Sequence, residues 1–130
     1  MAERIDLEVP ATLNGLSTVR LVLGGLGARL DFSLDDLEDV YLATDHLLRT
    51  ALDADALDRL SLEVLLGDGV LRFTAGTFRS AKLRADVTIH AEDCLDLCML
   101  LRRTVDDVVF EDEDGAYRIV LVKRRKGGPA

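Results

Sequence analysis

The sequence is poor in aromatic residues, contains no tryptophan and has no long apolar run. Only 5% of its 130 residues are aromatic, which argues against the stacking platforms that hold single-stranded nucleic acid. No apolar run approaches the roughly 18 residues of a membrane-spanning helix, and Met1–Pro10 has acidic residues but no apolar signal-peptide core. We therefore expect a cytoplasmic protein with no membrane segment and no direct contact with nucleic acid.

Cysteine is also scarce, because Cys94 and Cys98 are the whole complement. Their spacing on a helix gives poor geometry for a disulfide, and we expect a reducing compartment. With His90 and Asp93 they could form a metal site, but structural zinc usually takes four ligands in closely spaced pairs. Buried thiols are far commoner, so we predict no metal and leave the role of the two cysteines open.

Positive charge is in short supply as well, since 16 Lys and Arg stand against 24 Asp and Glu, for a net charge of −8. Non-specific nucleic-acid binding requires clustered basic residues. The one basic run, Lys123–Lys126, is interpreted as solvated, and residues 124–130 as a flexible tail. The hydrophobic content of 48% is typical of a globular protein, and the length predicts one domain over residues 1–130.

Apolar periodicity predicts a strand, two helices, a hairpin, a further helix and a closing hairpin. Glu3–Val9 alternates, and a helix is predicted from Leu13 to about Ala28. Gly67-Asp68-Gly69 and Asp114-Gly115 are turn signals of the two hairpins. Because the strands alternate instead of being apolar throughout, we predict an α+β fold with its helices on one side of the sheet.

The central helix is predicted over Asp35–Leu52, with Ser33 as its N-cap. His46 and Thr50 lie four residues apart and therefore point in the same direction. One apolar row at helical spacing is predicted to face the core: Leu34, Leu37, Tyr41, Thr44, Leu48 and Ala51.

Acidic residues crowd this part of the chain, with eight carboxylates against the single basic residue Arg49 between Ser33 and Asp58. We interpret them as a solvated face, with attraction of a basic partner as the alternative. Further on, Arg79–Ile89 is ambiguous, and its alternation suggests a short strand in a fixed segment. The stretch from about Ala91 to Thr104 is again helical in its spacing.

The segment LATDHLLRTAL, residues 42–52, resembles the N box of the histidine-kinase-like (GHKL) ATPases, in the branch of the anti-sigma factor serine kinases. That branch has the pattern L-A-V-x-E-A-x-x-N-A, in which the glutamate is the general base and the asparagine ligates magnesium. Here His46 and Thr50 stand at those two positions. The resemblance therefore implies an N box that has kept its apolar residues and lost its polar ones.

Two further nucleotide motifs are matched in the same incomplete way. The branch's G1 box, D-x-G-x-G with a following aromatic residue, uses its aspartate to accept the adenine amino group. Here Thr74–Phe78 keeps Gly76 and the aromatic residue but has no carboxylate. The G2 box, G-L-G-L, corresponds to Cys94–Leu97, where Asp96 would repel a triphosphate. The resemblance implies a vestigial ATP pocket.

The motifs that carry no chemistry match better. Leu101–Val108 is similar to the branch's L-x-x-L-V-D-x-V, and Val9-Pro10-Ala11 with Val19-Arg20 is similar to its beginning. The resemblance implies that Arg20 lies near a surface used for protein partners. A solvated helix arginine is the alternative interpretation.

Taken together, the resemblance implies a two-layer α/β sandwich of the Bergerat (GHKL) type, a mixed, mostly antiparallel sheet with about three helices on one face. Two functions remain open. One is a non-catalytic binding module, a pseudokinase with a vestigial pocket at His46, Thr50 and Gly76, which binds a sigma factor, an anti-anti-sigma (STAS) domain or a second copy as a homodimer. The other is an active serine kinase or ATPase that uses ATP and magnesium, with His46 as base. An unrelated small α+β domain is a third interpretation.

Overall fold

The computed structural model describes residues 3–89 and 96–126. The elements in these ranges are β1 Glu3–Pro10, α1 Leu13–Arg29, α2 Leu34–Ala54, β2 Arg59–Gly67, β3 Val70–Phe78, α3 Ala81–Thr88, α4 Leu97–Thr104, β4 Asp107–Glu113 and β5 Ala116–Arg124. The strands form one five-stranded sheet in the order β1-β2-β3-β5-β4. Every neighbouring pair is antiparallel.

Both predicted hairpins are present, and their turns explain the sequence signals. Asp68 and Gly69 connect β2 to β3 with φ angles of 52° and 73°, and Asp114 and Gly115 connect β4 to β5 with 51° and 77°. Consecutive positive φ angles match the twist of antiparallel strands, and Asp-Gly tolerates them at small cost. The turns thereby fix the strand register, so that alternate side chains point to opposite faces of the sheet.

The helices cover one face of the sheet, and the other face carries charged side chains. The core lies between the layers, where Leu62, Phe73 and Ile119 of the sheet meet helix residues such as Leu23 and Leu47. On the uncovered face, ion pairs cross between strands, for example Arg4–Glu63 at 3.0 Å. The predicted α+β sandwich is confirmed, with two corrections: all strand pairs are antiparallel, and the described residues form four helices.

The predicted core face of α2 is partly wrong. Leu34 is 84% exposed, and Leu37 and Tyr41 are only half-buried. The helix buries a row shifted around its axis, which consists of Asp36, Val40, Ala43, Thr44, Leu47, Leu48 and Ala51. Two adjacent rows of α2 are apolar, so the sequence alone could not separate them, and in the structure α2 is flanked by α1 and α4.

The segment predicted as a short strand is instead helix α3. Ser80 caps it by accepting a hydrogen bond from the Leu83 amide at 3.1 Å. Leu83 and Val87 are both buried. Their four-residue spacing fits a strand face and a helix face equally well, so the alternation alone could not separate the two.

The interpretation of the basic run as solvated is wrong for its first residue. Lys123 is on the inward face of β5 and only 1% exposed. Beyond it, the Arg125 amide donates to the Gly69 carbonyl at 2.8 Å, and the Lys126 amide donates to Asp36 at 3.3 Å. Arg124 ends β5, so part of the predicted tail packs on the domain. Residues 127–130 lie outside the described residues.

Gly15 of α1 allows the helix to pack closely on the end of β1. A Cβ atom there would overlap the carbonyl oxygen of Pro10 and lie 3.4 Å from a Val9 methyl group, whereas a Cβ on Gly25 of the same helix would meet nothing within 4 Å. We expect Gly15→Ala to destabilise the protein by about 1–3 kcal/mol and Gly25→Ala to stabilise it by up to about 1 kcal/mol. Urea unfolding measures the change in the free energy of unfolding for each variant. If both variants were destabilised, or both stabilised, the close packing of Gly15 would be contradicted.

Candidate functional site

His46 and Thr50 lie one turn apart on α2, as predicted. His46 is exposed and Thr50 is half-buried. The Thr50 hydroxyl donates to the His46 carbonyl oxygen at 2.8 Å, a bond within the helix that fixes its rotamer. Beside them, Asp45 forms an ion pair with Arg49 at 2.8 Å. The Thr50 hydroxyl is therefore engaged within its own helix, and the His46 side chain is open to solvent.

Gly76 lies within β3, opposite Ser61 of β2. A Cβ atom on it would lie 2.7 Å from Cγ and 3.1 Å from Cα of Arg118. Arg118 is exposed between the inward-facing Tyr117 and Ile119, so the open side of Gly76 is turned to the uncovered face of the sheet. The glycine is therefore needed for the close approach of β5, and its open side points away from the helix that carries His46 and Thr50.

The segment Arg79–Thr88 is anchored at its beginning by a carboxylate from the end of α2. Asp55 accepts hydrogen bonds from the backbone amides of Arg79, at 3.3 Å, and Ser80, at 3.2 Å. The Tyr117 hydroxyl donates to the Ser80 carbonyl oxygen. These contacts fix the exit of β3, directly after the residues that match the G1 box.

Arg84 holds the middle of α3 against the closing hairpin. Its guanidinium makes a bidentate ion pair with Asp112 and lies over the rings of Phe110, at 4.3 Å, and Tyr117, at 5.2 Å. The hydrogen bond from Arg84 lowers the pKa of Asp112 below its usual value. Because the neighbouring Leu83 is fully buried, α3 is a packed element of the core.

The beginning of α4 has its own anionic cap. Asp96 is the N-cap residue, and its carboxylate accepts a hydrogen bond from the Met99 amide at 2.8 Å. In the G2 box of the family, the corresponding helix N-terminus would face the phosphates, because its free amides favour anions. Here Asp96 supplies the anion. The first two residues of the G2 match, Cys94 and Leu95, lie outside the described residues.

Tyr117 links α3 to the sheet in a pH-dependent way. Loss of water around the buried phenol raises its pKa, and the charge of Asp55 raises it further. A raised pKa means that the neutral phenol is favoured in the folded chain, so its contribution to stability is complete below the unfolded pKa of about 10. That contribution is lost as the pH rises through the folded pKa.

We expect Tyr117→Phe to lower the free energy of unfolding by about 1 kcal/mol at neutral pH, because the bond to the Ser80 carbonyl is lost. The difference from the parent protein should shrink above about pH 10, because the variant has no phenol to ionise there. Urea unfolding measured at pH 7 and above pH 10 tests both parts. A difference that is constant with pH would contradict the role of the neutral phenol.

Arg20 lies on the outer side of the helix layer. It is exposed, and its guanidinium lies 4.4 Å from the centre of the Tyr41 ring of α2. Gly24 of α1 makes room for this ring, since a Cβ there would meet the Tyr41 hydroxyl. The stack fixes Arg20 in the groove between α1 and α2, on an accessible surface where a partner could contact it.

Of the four residues considered as metal ligands, His90, Asp93, Cys94 and Cys98, only Cys98 lies within the described residues. Cys98 is a buried free thiol, and Cys94 lies outside the described residues. Within 3–89 and 96–126, no three His, Cys, Asp or Glu side chains come together as a metal site.

The order of the elements and their antiparallel sheet form a two-layer α+β domain whose fold is like that of the histidine-kinase-like ATPases. No family model matches the chain. It is 23% identical over 128 residues to the serine-protein kinase RsbW of Bacillus mycoides, covering 87% of this chain and 80% of that protein. It is 26% identical over 134 residues to the RsbW of Halalkalibacterium halodurans, covering 93% and 83%. The resemblance to the anti-sigma factor serine kinases is confirmed.

A solved structure supports the same fold. A Mycobacterium tuberculosis protein with RsbU and RsbW domains superimposes with a TM-score of 0.63 at 20% identity. The match covers 94% of this chain and 32% of that chain, so this chain spans about a third of its length. Among the described residues, the helices are too short or too polar to cross a membrane.

Proposed function

We propose that the protein is a non-catalytic regulatory module, a pseudokinase that resembles an anti-sigma factor and acts by binding a sigma factor or a STAS-domain antagonist. The observation that carries the proposal is the packing of Arg79–Thr88. In an active ATPase of this type the corresponding segment is a mobile lid over the nucleotide. Here it is a helix with Leu83 and Val87 in the core, fastened by Asp55, Arg84 and Tyr117.

The residues at the three nucleotide-motif positions support the same proposal. The base and the magnesium ligand of the family are replaced by His46 and Thr50, and the adenine-binding carboxylate is missing beside Gly76. An adenine amino group buried without an acceptor would cost about 1–3 kcal/mol of nucleotide-binding free energy. Asp96 places a negative charge at the helix end where the phosphates would approach, and like charges repel strongly where water is excluded. We therefore propose that neither ATP nor magnesium is a cofactor.

A protein partner is supported by the surface that remains. Arg20 is held in an accessible groove by its stack on Tyr41, at the position that the family resemblance assigns to partner contacts. Arg20→Ala should therefore weaken binding to the sigma factor or STAS domain of the native host by about tenfold or more, as expected for an arginine anchor.

Binding without nucleotide is the experiment that tests this function. Calorimetry of the purified chain against each sigma factor and STAS domain of the host, in buffer free of ATP, should find a partner. The matched control is Arg102→Ala, which changes another exposed helix arginine, on α4. Equal affinities for Arg20→Ala and Arg102→Ala, or binding that requires Mg-ATP, would contradict the proposal.

The alternative is an active serine kinase or ATPase with an altered site. It is favoured by the exposed imidazole of His46 at the position of the family's base, where it could accept a proton from a substrate hydroxyl. Thr50 would then ligate magnesium through its hydroxyl oxygen. A phosphotransfer rate unchanged by His46→Ala and by Thr50→Val would exclude this mechanism.

A further inference from the structure

We propose that the groove between α1 and α2 is a docking site for a basic amphipathic helix of the protein partner. The groove is defined by Leu21, Gly24 and Gly25 of α1 and by Leu34, Tyr41 and Leu42 of α2. This inference rests on the proposed function, because it specifies the chemistry of the partner that the module binds. It concerns the outer side of the helix layer and uses none of the residues of the vestigial nucleotide pocket.

The groove exposes large apolar side chains that the fold itself does not use. Leu34 is 84% exposed, Leu21 78% and Leu42 39%. Single exposed leucines are common, but a set that lies along one groove is typical of a protein-binding surface. Burying them against a partner would remove apolar area from water, which is the main favourable contribution to association.

The shape of the groove provides two adjacent hollows for the side chains of a ligand. One of about 510 Å³ lies along α2 from Leu34 to Asp45. The other, of about 500 Å³, lies along α1 and is open because Gly24 and Gly25 have no side chain. The Arg20–Tyr41 stack lies between them and contributes to both. Two apolar side chains one helical turn apart on a ligand could fill the two hollows.

The length of the groove corresponds to a short helix. Leu34 and Asp45 are eleven positions apart on α2, which is about 17 Å at 1.5 Å per residue. A ligand helix of three to four turns would therefore span it. Helices that bind such grooves place apolar anchors at positions i, i+3 or i+4, and i+7.

The charge around the groove selects a basic ligand. Glu38 and Asp45 of α2 line the larger hollow, and Asp35 is exposed beside Leu34. Asp45 is paired with Arg49 of the next turn and Asp39 with Lys123, so Glu38 and Asp35 are the carboxylates that a basic ligand would meet. Arg20 is the one cation among the described residues that line the two hollows, and its charge is directed onto the Tyr41 ring. A ligand with Lys or Arg beside its apolar anchors would meet opposite charge along the rim, which also speeds its association.

The same charge disfavours a second copy of this chain as the occupant. The net charge is −8, and two copies facing each other through α2 would bring their acidic rims together. Like charges placed opposite each other across an interface suppress the wrong partner. We therefore commit to a basic helix of a different protein.

The test uses the full chain and two synthetic peptides of roughly 14 residues, about four helical turns. One has Leu at the anchor positions and Lys elsewhere, and the other has Leu at the same positions and Glu elsewhere. Fluorescence anisotropy at physiological salt should show binding of the Leu/Lys peptide at least about tenfold tighter than the Leu/Glu peptide.

Substitutions in the groove distinguish specific binding of the peptide there from non-specific electrostatic attraction to an acidic protein. Leu21→Ser combined with Leu34→Ser should weaken binding of the Leu/Lys peptide by about tenfold, and Glu38→Lys should weaken it by a similar factor. Leu13→Ser is the matched control, because Leu13 is 61% exposed on α1 and is not one of the residues lining the hollows. Circular dichroism verifies that each variant is folded.

Three results would overturn the docking site. They are equal losses in Leu13→Ser and in the double leucine variant, equal binding of the two peptides, and a homodimer in light scattering that the double leucine variant dissociates. Titration with Mg-ATP separates this inference from the proposed function. If Mg-ATP binds while the peptide pattern holds, the proposed function fails and the docking site stands; if nucleotide is not bound and the peptide pattern fails, only the docking site is excluded.

Discussion

Asp39→Asn is expected to destabilise the protein by about 3–5 kcal/mol, because it leaves a buried ammonium group without its counter-ion. Lys123 lies on the inward face of β5, 1% exposed, with its Nζ atom 2.9 Å from Asp39 Oδ2. The same ammonium donates to the Thr104 carbonyl oxygen at 2.9 Å. One ion pair therefore connects the sheet, α2 and the end of α4.

Removing the lysine instead should cost much less. In Lys123→Met an apolar chain of similar length fills the site, and Asp39, whose side chain is 27% exposed, can be hydrated. We expect a loss of no more than about 1–2 kcal/mol, chiefly from the unpaired Thr104 carbonyl. The double variant should be more stable than Asp39→Asn alone. Urea unfolding of the two single variants and the double variant gives their free energies of unfolding. Equal losses in Asp39→Asn and Lys123→Met would contradict the idea that an unpaired, buried Lys123 ammonium is the main cost.

Leu47→Ala is expected to destabilise the protein by about 2–5 kcal/mol, because Leu47 is 0% exposed at the centre of the buried row of α2. The matched control is Leu34→Ala, the same substitution in the same helix at a residue that is 84% exposed. It should change stability by less than about 0.5 kcal/mol.

Comparing the free energies of unfolding of these two variants shows which of the two apolar rows of α2 is buried in the core. If Leu34→Ala were the more damaging change, the row predicted from the sequence would be the buried one. That result would mean that α2 presents Leu34, and not Leu47, to the core. Unfolding by urea, with a slope that is the same in both variants, provides the measurement.

Much of the fold could be predicted from the sequence because its local signals agree with one another. Alternation identified β1 and both hairpins, and the Asp-Gly turns fixed their positions. Ser33 marked the beginning of α2, where it forms a capping box with Asp36. These signals arise from backbone geometry within a few residues and do not depend on tertiary packing between the elements.

Features that depend on distant packing could not be predicted. The two apolar rows of α2 look alike in sequence, and the helix contacts α1 and α4, which come from other parts of the chain. The contacts that hold α3 in place also join distant residues, Asp55 with Ser80 and Arg84 with Asp112. Lys123 continues the inward alternation of Tyr117, Ile119 and Leu121, a signal that was available, but the basic character of the run favoured the solvated interpretation.

For the candidate site, the sequence identified the positions but not their surroundings. The replacements at His46 and Thr50 and the missing carboxylate beside Gly76 could be recognised from the motif spacing alone. The anchoring of the lid segment by Asp55 and Tyr117 and the open groove beside Arg20 could not, because they join side chains from separate elements.

We propose that the domain has kept the fold of the histidine-kinase-like ATPases and no longer binds ATP. Isothermal titration calorimetry of the full chain with Mg-ATP, under conditions that detect micromolar dissociation constants, tests it most directly. We predict no heat of binding, and no change in the thermal unfolding midpoint at millimolar Mg-ATP. Micromolar binding that Thr50→Val or His46→Ala abolishes, with the nucleotide seated against Gly76 in a crystal, would contradict the claim.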